Sequence, residues 1–197
     1  MALVTRSRCI DCWGRWLMSL LAWILVSALA NAPLATAALT EYEVKAGFLY
    51  HFGWFVEWPD TTDQGRAPVF TIGVLGAHPF RGVLDDVMRG KRIGERPVVI
   101  QYHQRVEEAL SSHILFISAS EEAWLPAILS RLGAASVLTV SDMEHFTERG
   151  GMIALRLVGQ KVRFDINRDA TERAGLKLSS QLLRLARVIY STRSLRE

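Results

Sequence analysis

Cysteine is the scarcest chemistry in this chain. There are two in 197 residues, Cys9 and Cys12, and both lie in the first dozen positions. Their Cys-x-x-Cys spacing is of the metal- or redox-binding kind, but the segment that carries it reads as a targeting leader. Arg6, Arg8 and Arg15 form a basic stretch, and Trp16 to Ala30 is an uncharged apolar run. Ala35-Thr-Ala37 then supplies a small-x-small cleavage site. A run of about 15 residues is shorter than the roughly 20 that a spanning helix requires. The reading is therefore a signal peptide over residues 1–37, cut before Ala38, and a periplasmic product; a retained N-terminal anchor is the alternative. Without the leader the chain is free of cysteine, which excludes disulfides, thiol catalysis and thiol redox switching in the product.

Net charge is the second thing in short supply. The whole chain holds 23 Lys+Arg against 20 Asp+Glu. Removing Arg6, Arg8, Arg15 and Asp11 leaves 23 − 3 = 20 against 20 − 1 = 19, so +3 falls to +1. Nucleic-acid binding thereby loses its compositional support. Metal-ligand spacing is also lacking. His51, His78, His103, His113 and His145 form no closely spaced pair, and there is no His-Glu-x-x-His. No nucleophile elbow surrounds Ser179-Ser180, and Glu41, Glu43 and Glu57 are too scattered to pair as acid and base. The residues name no catalytic group, no cofactor and no metal.

What the chain does have is alternation of strand and helix signals over residues 38–197, enough for one domain with one core. Thr40-Glu-Tyr-Glu43 is a capping box that opens an aromatic helix running to Pro59. Strands are predicted at 69–75, 98–103, 113–118 and 136–141. Helices are predicted at 80–88 and 121–132, the latter with Trp124, Leu125, Ile128, Leu129 and Leu132 inward. Two further strand runs flank Val158-Gly-Gln160, a tight hairpin turn. In the second of them Val162, Phe164 and Ile166 alternate with Lys161, Arg163 and Asp165. From Asp169 to Tyr190 one amphipathic helix is predicted to close the fold. The expected fold class is a three-layer α/β domain, with a mainly parallel sheet ended by an antiparallel hairpin and a closing helix.

Two stretches invite a ligand reading, each beside a plainer one. Gly73-Val-Leu-Gly76 follows a strand and precedes a helix, as a phosphate cradle does, but matches no full glycine fingerprint; a plain turn is favoured. Arg163, Asp165, Asn167 and Arg173 meet where the hairpin joins the last helix. Surface ion pairing and a polar ligand pocket weigh equally there. The aromatic helix bears more rings than one core stripe needs. Tyr50, Trp54 and Trp58, with Gln181 and Arg184 of the last helix, are the expected partner or dimer surface.

Val44-Lys-Ala-Gly-Phe-Leu-Tyr-His-Phe-Gly-Trp-Phe-Val-Glu-Trp-Pro59 resembles the opening signature of the YfiR family. Ile72-Gly-Val-Leu-Gly76, Gly90-Lys-x-Ile-x-x-Arg-Pro-Val98, His113-Ile-Leu-Phe-Ile117 and Val137-Leu-Thr-Val-Ser-Asp142 follow in family order. Gly150-Gly-Met-Ile153, Val162-Arg-Phe-Asp-Ile-Asn167 and Ala174-Gly-Leu-Lys-Leu-Ser-Ser-Gln-Leu-Leu183 complete it. The resemblance implies a periplasmic negative regulator rather than an enzyme. Such a protein represses an inner-membrane diguanylate cyclase by binding its periplasmic domain, and so controls cyclic di-GMP and biofilm formation. It also implies a homodimer, an outer-membrane lipoprotein as a possible sequestering partner, and a small ligand such as a nucleotide or tryptophan. The alternative is a periplasmic small-ligand-sensing module acting on another membrane sensor such as a histidine kinase.

Overall fold

The structure is a computed structural model, and it describes residues 40–59, 67–133 and 135–191. The leader and the 60–65 loop lie outside the described residues. Leu39–Glu197 forms a compact unit of its own.

Helix α1 spans Glu41–Phe55 and begins as its sequence dictates. The Thr40 hydroxyl accepts from the Glu43 N–H, and the Glu43 carboxylate accepts from the Thr40 N–H at 2.5 Å, closing a capping box. The helix ends before Pro59, because Val56–Glu57 (β1) turns extended and pairs antiparallel with Lys177–Leu178 (β9). The other elements are β2 (Phe70–Leu75), α2 (Val83–Met88), β3 (Arg92–Ile93), β4 (Arg96–His103), β5 (Ile114–Ile117) and α3 (Leu125–Leu132). They continue with β6 (Leu138–Ser141), β7 (Ile153–Val158), β8 (Lys161–Asn167), α4 (Arg168–Arg173), α5 (Ser180–Leu185) and β10 (Val188–Tyr190).

The main sheet runs β10-β8-β7-β6-β5-β2-β4-β3. All neighbours are parallel except β7–β8 and β3–β4. Alternation divides its side chains between two layers. Phe70, Ile72, Val74, Ile114, Phe116, Leu138 and Val140 join Ala46, Leu49 and Phe52 of α1 and Leu84 and Met88 of α2. On the opposite face Leu75, Leu115, Ile117 and Ala154 meet Leu125, Ile128 and Leu132 of α3. This is the expected three-layer, mainly parallel α/β arrangement. The β7–β8 hairpin turns on Gly159-Gln160, as the sequence predicts.

The predicted closing helix is not one helix. α4 ends at Arg173, and just past its cap Gly175 has a φ of +73°, in the left-handed region that favours glycine. The Ser179 hydroxyl accepts from the Leu182 N–H and starts α5 afresh. The chain then extends, and β10 adds to β8 in parallel. The apolar spacing that reads as one stripe is therefore shared among four elements, and Leu185 and Ile189 stand exposed. A second correction concerns Trp124. Residues Ala119–Trp124 form a 3-10 helix, α3 begins only at Leu125, and the indole is 67 % exposed instead of inward.

Candidate functional site

The parallel order reverses between β2 and β5, where open α/β sheets commonly bind ligands beyond their carboxyl ends. Here the place is filled by the chain itself. The Ala77 N–H donates to the Ser120 hydroxyl at 3.0 Å, and that hydroxyl donates to Glu121 Oε1 at 2.9 Å. A side chain at Gly76 would meet the Glu121 carboxylate. An anion-repelling carboxylate sits where the Gly73–Gly76 turn would have to receive a phosphate, so this segment is a strand-to-helix turn.

Two clefts lined by described residues lie elsewhere. The first, about 660 Å³, has Leu129, Leu132, Val137 and Met152 among its walls and carries Arg149 and Arg173. Arg149 Nη1 donates to Glu122 Oε1 at 3.0 Å. The second, about 520 Å³, lies between α1 and β7. Its floor holds Lys45, only 3 % exposed, with Nζ at 2.6 Å from Asp142 Oδ2 and 2.5 Å from Glu41 Oε1. Burial pulls the Lys45 ammonium down, but its hydrogen bonds to Asp142 and Glu41 outweigh that and leave it above the ordinary lysine range. Tyr42 also donates to Asp142, at 3.2 Å.

The four residues expected to form a polar pocket are dispersed. Asp165 is fully buried rather than solvent-facing. Its Oδ2 accepts from Arg156 Nε at 2.9 Å and from Arg187 Nη2 at 2.5 Å, while Oδ1 finds no hydrogen-bond partner among the described residues. Asn167 caps α4 by accepting from the Ala170 N–H, and its amide donates to the Thr147 carbonyl. Arg163 is exposed on β8. Arg173 is the one of the four that lines the first cleft.

The expected partner surface is also redrawn. Trp58 is buried, edge-on to Phe70 at 5.2 Å and to His113 at 5.5 Å, so it belongs to the core. Trp54 is 52 % exposed. Tyr50 is half-buried and donates to the Arg92 carbonyl at 3.0 Å. Gln181 and Arg184 are exposed on α5. The β1–β9 pair and a hydrogen bond from the Ser179 N–H to the Phe55 carbonyl clip the end of α1 to the start of α5. Trp54, Gln181 and Arg184 thus lie on neighbouring elements.

Sequence reasoning missed Lys45, Asp142, Arg156 and Arg187. Lys45 had a signal: it stands four residues before Leu49 on the buried face, with Glu41 one turn earlier, and a cation on a core face requires carboxylates. Arg156 and Arg187 had none, because their shared partner depends on β10 meeting β8. Among the described residues no group of three or more His, Cys, Asp or Glu is placed to hold a metal ion, and no helix is long and apolar enough to cross a membrane.

These features define the class as a three-layer α/β domain with a mainly parallel sheet. The profile of the YfiR/HmsC-like family matches residues 42–187, and the chain belongs to that family. No curated protein matches it significantly. A conserved domain protein from Vibrio cholerae O1 biovar El Tor shares the fold at 12 % identity and a TM-score of 0.52, over 77 % of this chain and 61 % of that one. A domain from Streptococcus pneumoniae, solved in complex with L-Trp, aligns at 12 % identity and a TM-score of 0.47, over 62 % of this chain and 55 % of its own. The chain therefore spans about six-tenths of the length of these solved relatives.

Proposed function

We propose that the protein is a periplasmic regulator that represses an inner-membrane diguanylate cyclase by binding the cyclase's periplasmic domain. The observation that carries this reading is the family match over residues 42–187, which covers α1, the whole central sheet up to β8, and α5. A repressor needs no reacting group. It must hold the inactive state of its partner more tightly than the active one, because equal affinity for both shifts nothing. The half-exposed Trp54, on an element neighbouring that of the exposed Gln181 and Arg184, is the anchor we assign to that contact, since buried aromatics and arginines dominate interface energetics. Calorimetric titration of the protein with the isolated periplasmic domain of the cyclase tests this. Saturable binding that Trp54→Glu weakens at least tenfold supports the reading, and absence of binding by the unaltered protein refutes it.

A second reading, a small-ligand sensor, is favoured by the first cleft, where an apolar wall adjoins the Arg173 guanidinium. It predicts a rise in melting temperature with a small anionic ligand in the absence of any protein partner. The homodimer and the lipoprotein partner remain proposals that follow from the resemblance.

A further inference from the structure

The β7–β8 hairpin changes character along its length. At its base Leu155 and Phe164 are buried opposite one another, whereas at its tip Leu157 is 53 % and Val158 49 % exposed. Lys161 and Arg163 are exposed on the same tip and have no acidic partner among the described residues. The register sets Arg156 directly across from Arg163, and like charges so opposed weaken an antiparallel pair. The opposed arginines therefore do not stabilise the pairing.

Counted on the hairpin and Arg187 alone, the charge is lopsided. Arg156, Lys161, Arg163 and Arg187 are four cations, and Asp165, buried between Arg156 and Arg187, is one carboxylate, which leaves 4 − 1 = +3. Glu41, Asp142 and Glu144 line the cleft beside the hairpin; Glu41 and Asp142 share the Lys45 ammonium, the exposed Glu144 stands on the β7 side, and Glu148 acts on Arg156. The hairpin residues that line that cleft all belong to β7, and Lys161 and Arg163 on β8 are not among them.

Aliphatic side chains at a loop tip, flanked by cations and with no acid on the hairpin itself but the buried Asp165, match an anionic lipid surface. The aliphatics enter the boundary between headgroups and acyl chains, and the cations meet lipid phosphates. An acidic protein patch would pair the cations but give Leu157 and Val158 no apolar phase. We propose that the hairpin tip is a membrane-surface contact that docks this protein, reversibly and without spanning, on an anionic phospholipid bilayer. This goes beyond the repressor reading and does not depend on it.

The test is co-sedimentation of the compact unit Leu39–Glu197 with phosphatidylcholine vesicles and with vesicles containing about a third phosphatidylglycerol, at low and high salt. Binding to the anionic vesicles alone, lost at high salt, is expected. Each cation near such a surface contributes about a fivefold factor, so Lys161→Glu with Arg163→Glu lowers partitioning at least ~25-fold. Leu157→Ser with Val158→Ser lowers it about tenfold. All four positions are exposed, and circular dichroism checks that each variant is folded; Trp54→Glu, which tests the cyclase contact, leaves vesicle binding unchanged. No binding to anionic vesicles at low salt overturns the proposal, as does binding that survives charge reversal at Lys161 and Arg163. Failed vesicle binding combined with weaker cyclase capture by the charge-reversed variant would make the hairpin a protein contact and overturns it equally.

Discussion

The centre of the sheet and its β7–β8–β10 end obey different rules. Strands β2, β5 and β6 are buried at every position, as strands covered on both faces should be. They hold apolar contacts and a few satisfied hydroxyls, such as Ser141 Oγ donating to the Ile117 carbonyl at 2.7 Å. The β7–β8–β10 end buries only its base. It keeps one carboxylate between two arginines and sends charged and aliphatic groups outward. The centre supplies stability by area removed from water, and the end spends structure on an exposed, charged surface.

Four substitutions break or sharpen this contrast. Phe116→Ala in β5 removes a fully buried ring that stands edge-on to Phe80 at 4.9 Å. It should cost about 4 kcal/mol of unfolding free energy in denaturant titration. Asp165→Ala at the other end leaves Arg156 and Arg187 without their carboxylate. Because both guanidiniums keep some contact with water, the expected loss is about 3 kcal/mol, the low end for a broken buried pair. If Asp165→Ala proved harmless, the pair would be a surface contact and the contrast would fail.

His103 ends β4 and is nearly buried, with Nε2 lacking a partner among the described residues. Burial pushes its pKa below the usual histidine range, against a weaker opposing pull from Glu108. Between its depressed folded-state pKa and about pH 6.5 the native state therefore binds fewer protons than the unfolded chain, so this group's stabilisation is complete at neutral pH and is lost as pH falls through the lower, folded-state value. Melting temperatures at neutral and mildly acidic pH should show the fall, and His103→Phe should flatten it in that window. The smallest stability effect is expected for Trp54→Ala, within about 0.5 kcal/mol of the unaltered protein, whereas the proposed binding to a cyclase domain should weaken. A large loss of stability there would return Trp54 to the core.

Much of the architecture was legible in the residues because it is local. The Thr40–Glu43 cap, the apolar strand runs and the Gly159-Gln160 turn each depend on neighbours within a few positions. The errors arise where distant segments meet. Trp58 looks like the exposed edge of an aromatic helix until Phe70 and His113 close over it. Trp124 fits an inward stripe if the helix starts at Glu121, yet the 3-10 turn rotates it outward. The breaks at Gly175 and Ser179 were visible as residue types, but an unbroken apolar spacing masked them. The pairing of β10 with β8, which buries Asp165, left no mark in the sequence. Of the expected site residues, Trp54, Gln181 and Arg184 stay available to a partner, whereas the polar quartet separates into an ion pair, a helix cap, an exposed side chain and a cleft wall.

The central claim is most directly tested by the cyclic di-GMP content of the host bacterium, measured with and without this protein. Repression predicts that the level rises when the gene is removed, returns to its starting value with the unaltered protein, and stays high with a folded, exported Trp54→Glu variant. An unchanged level on removal of the gene would contradict the account.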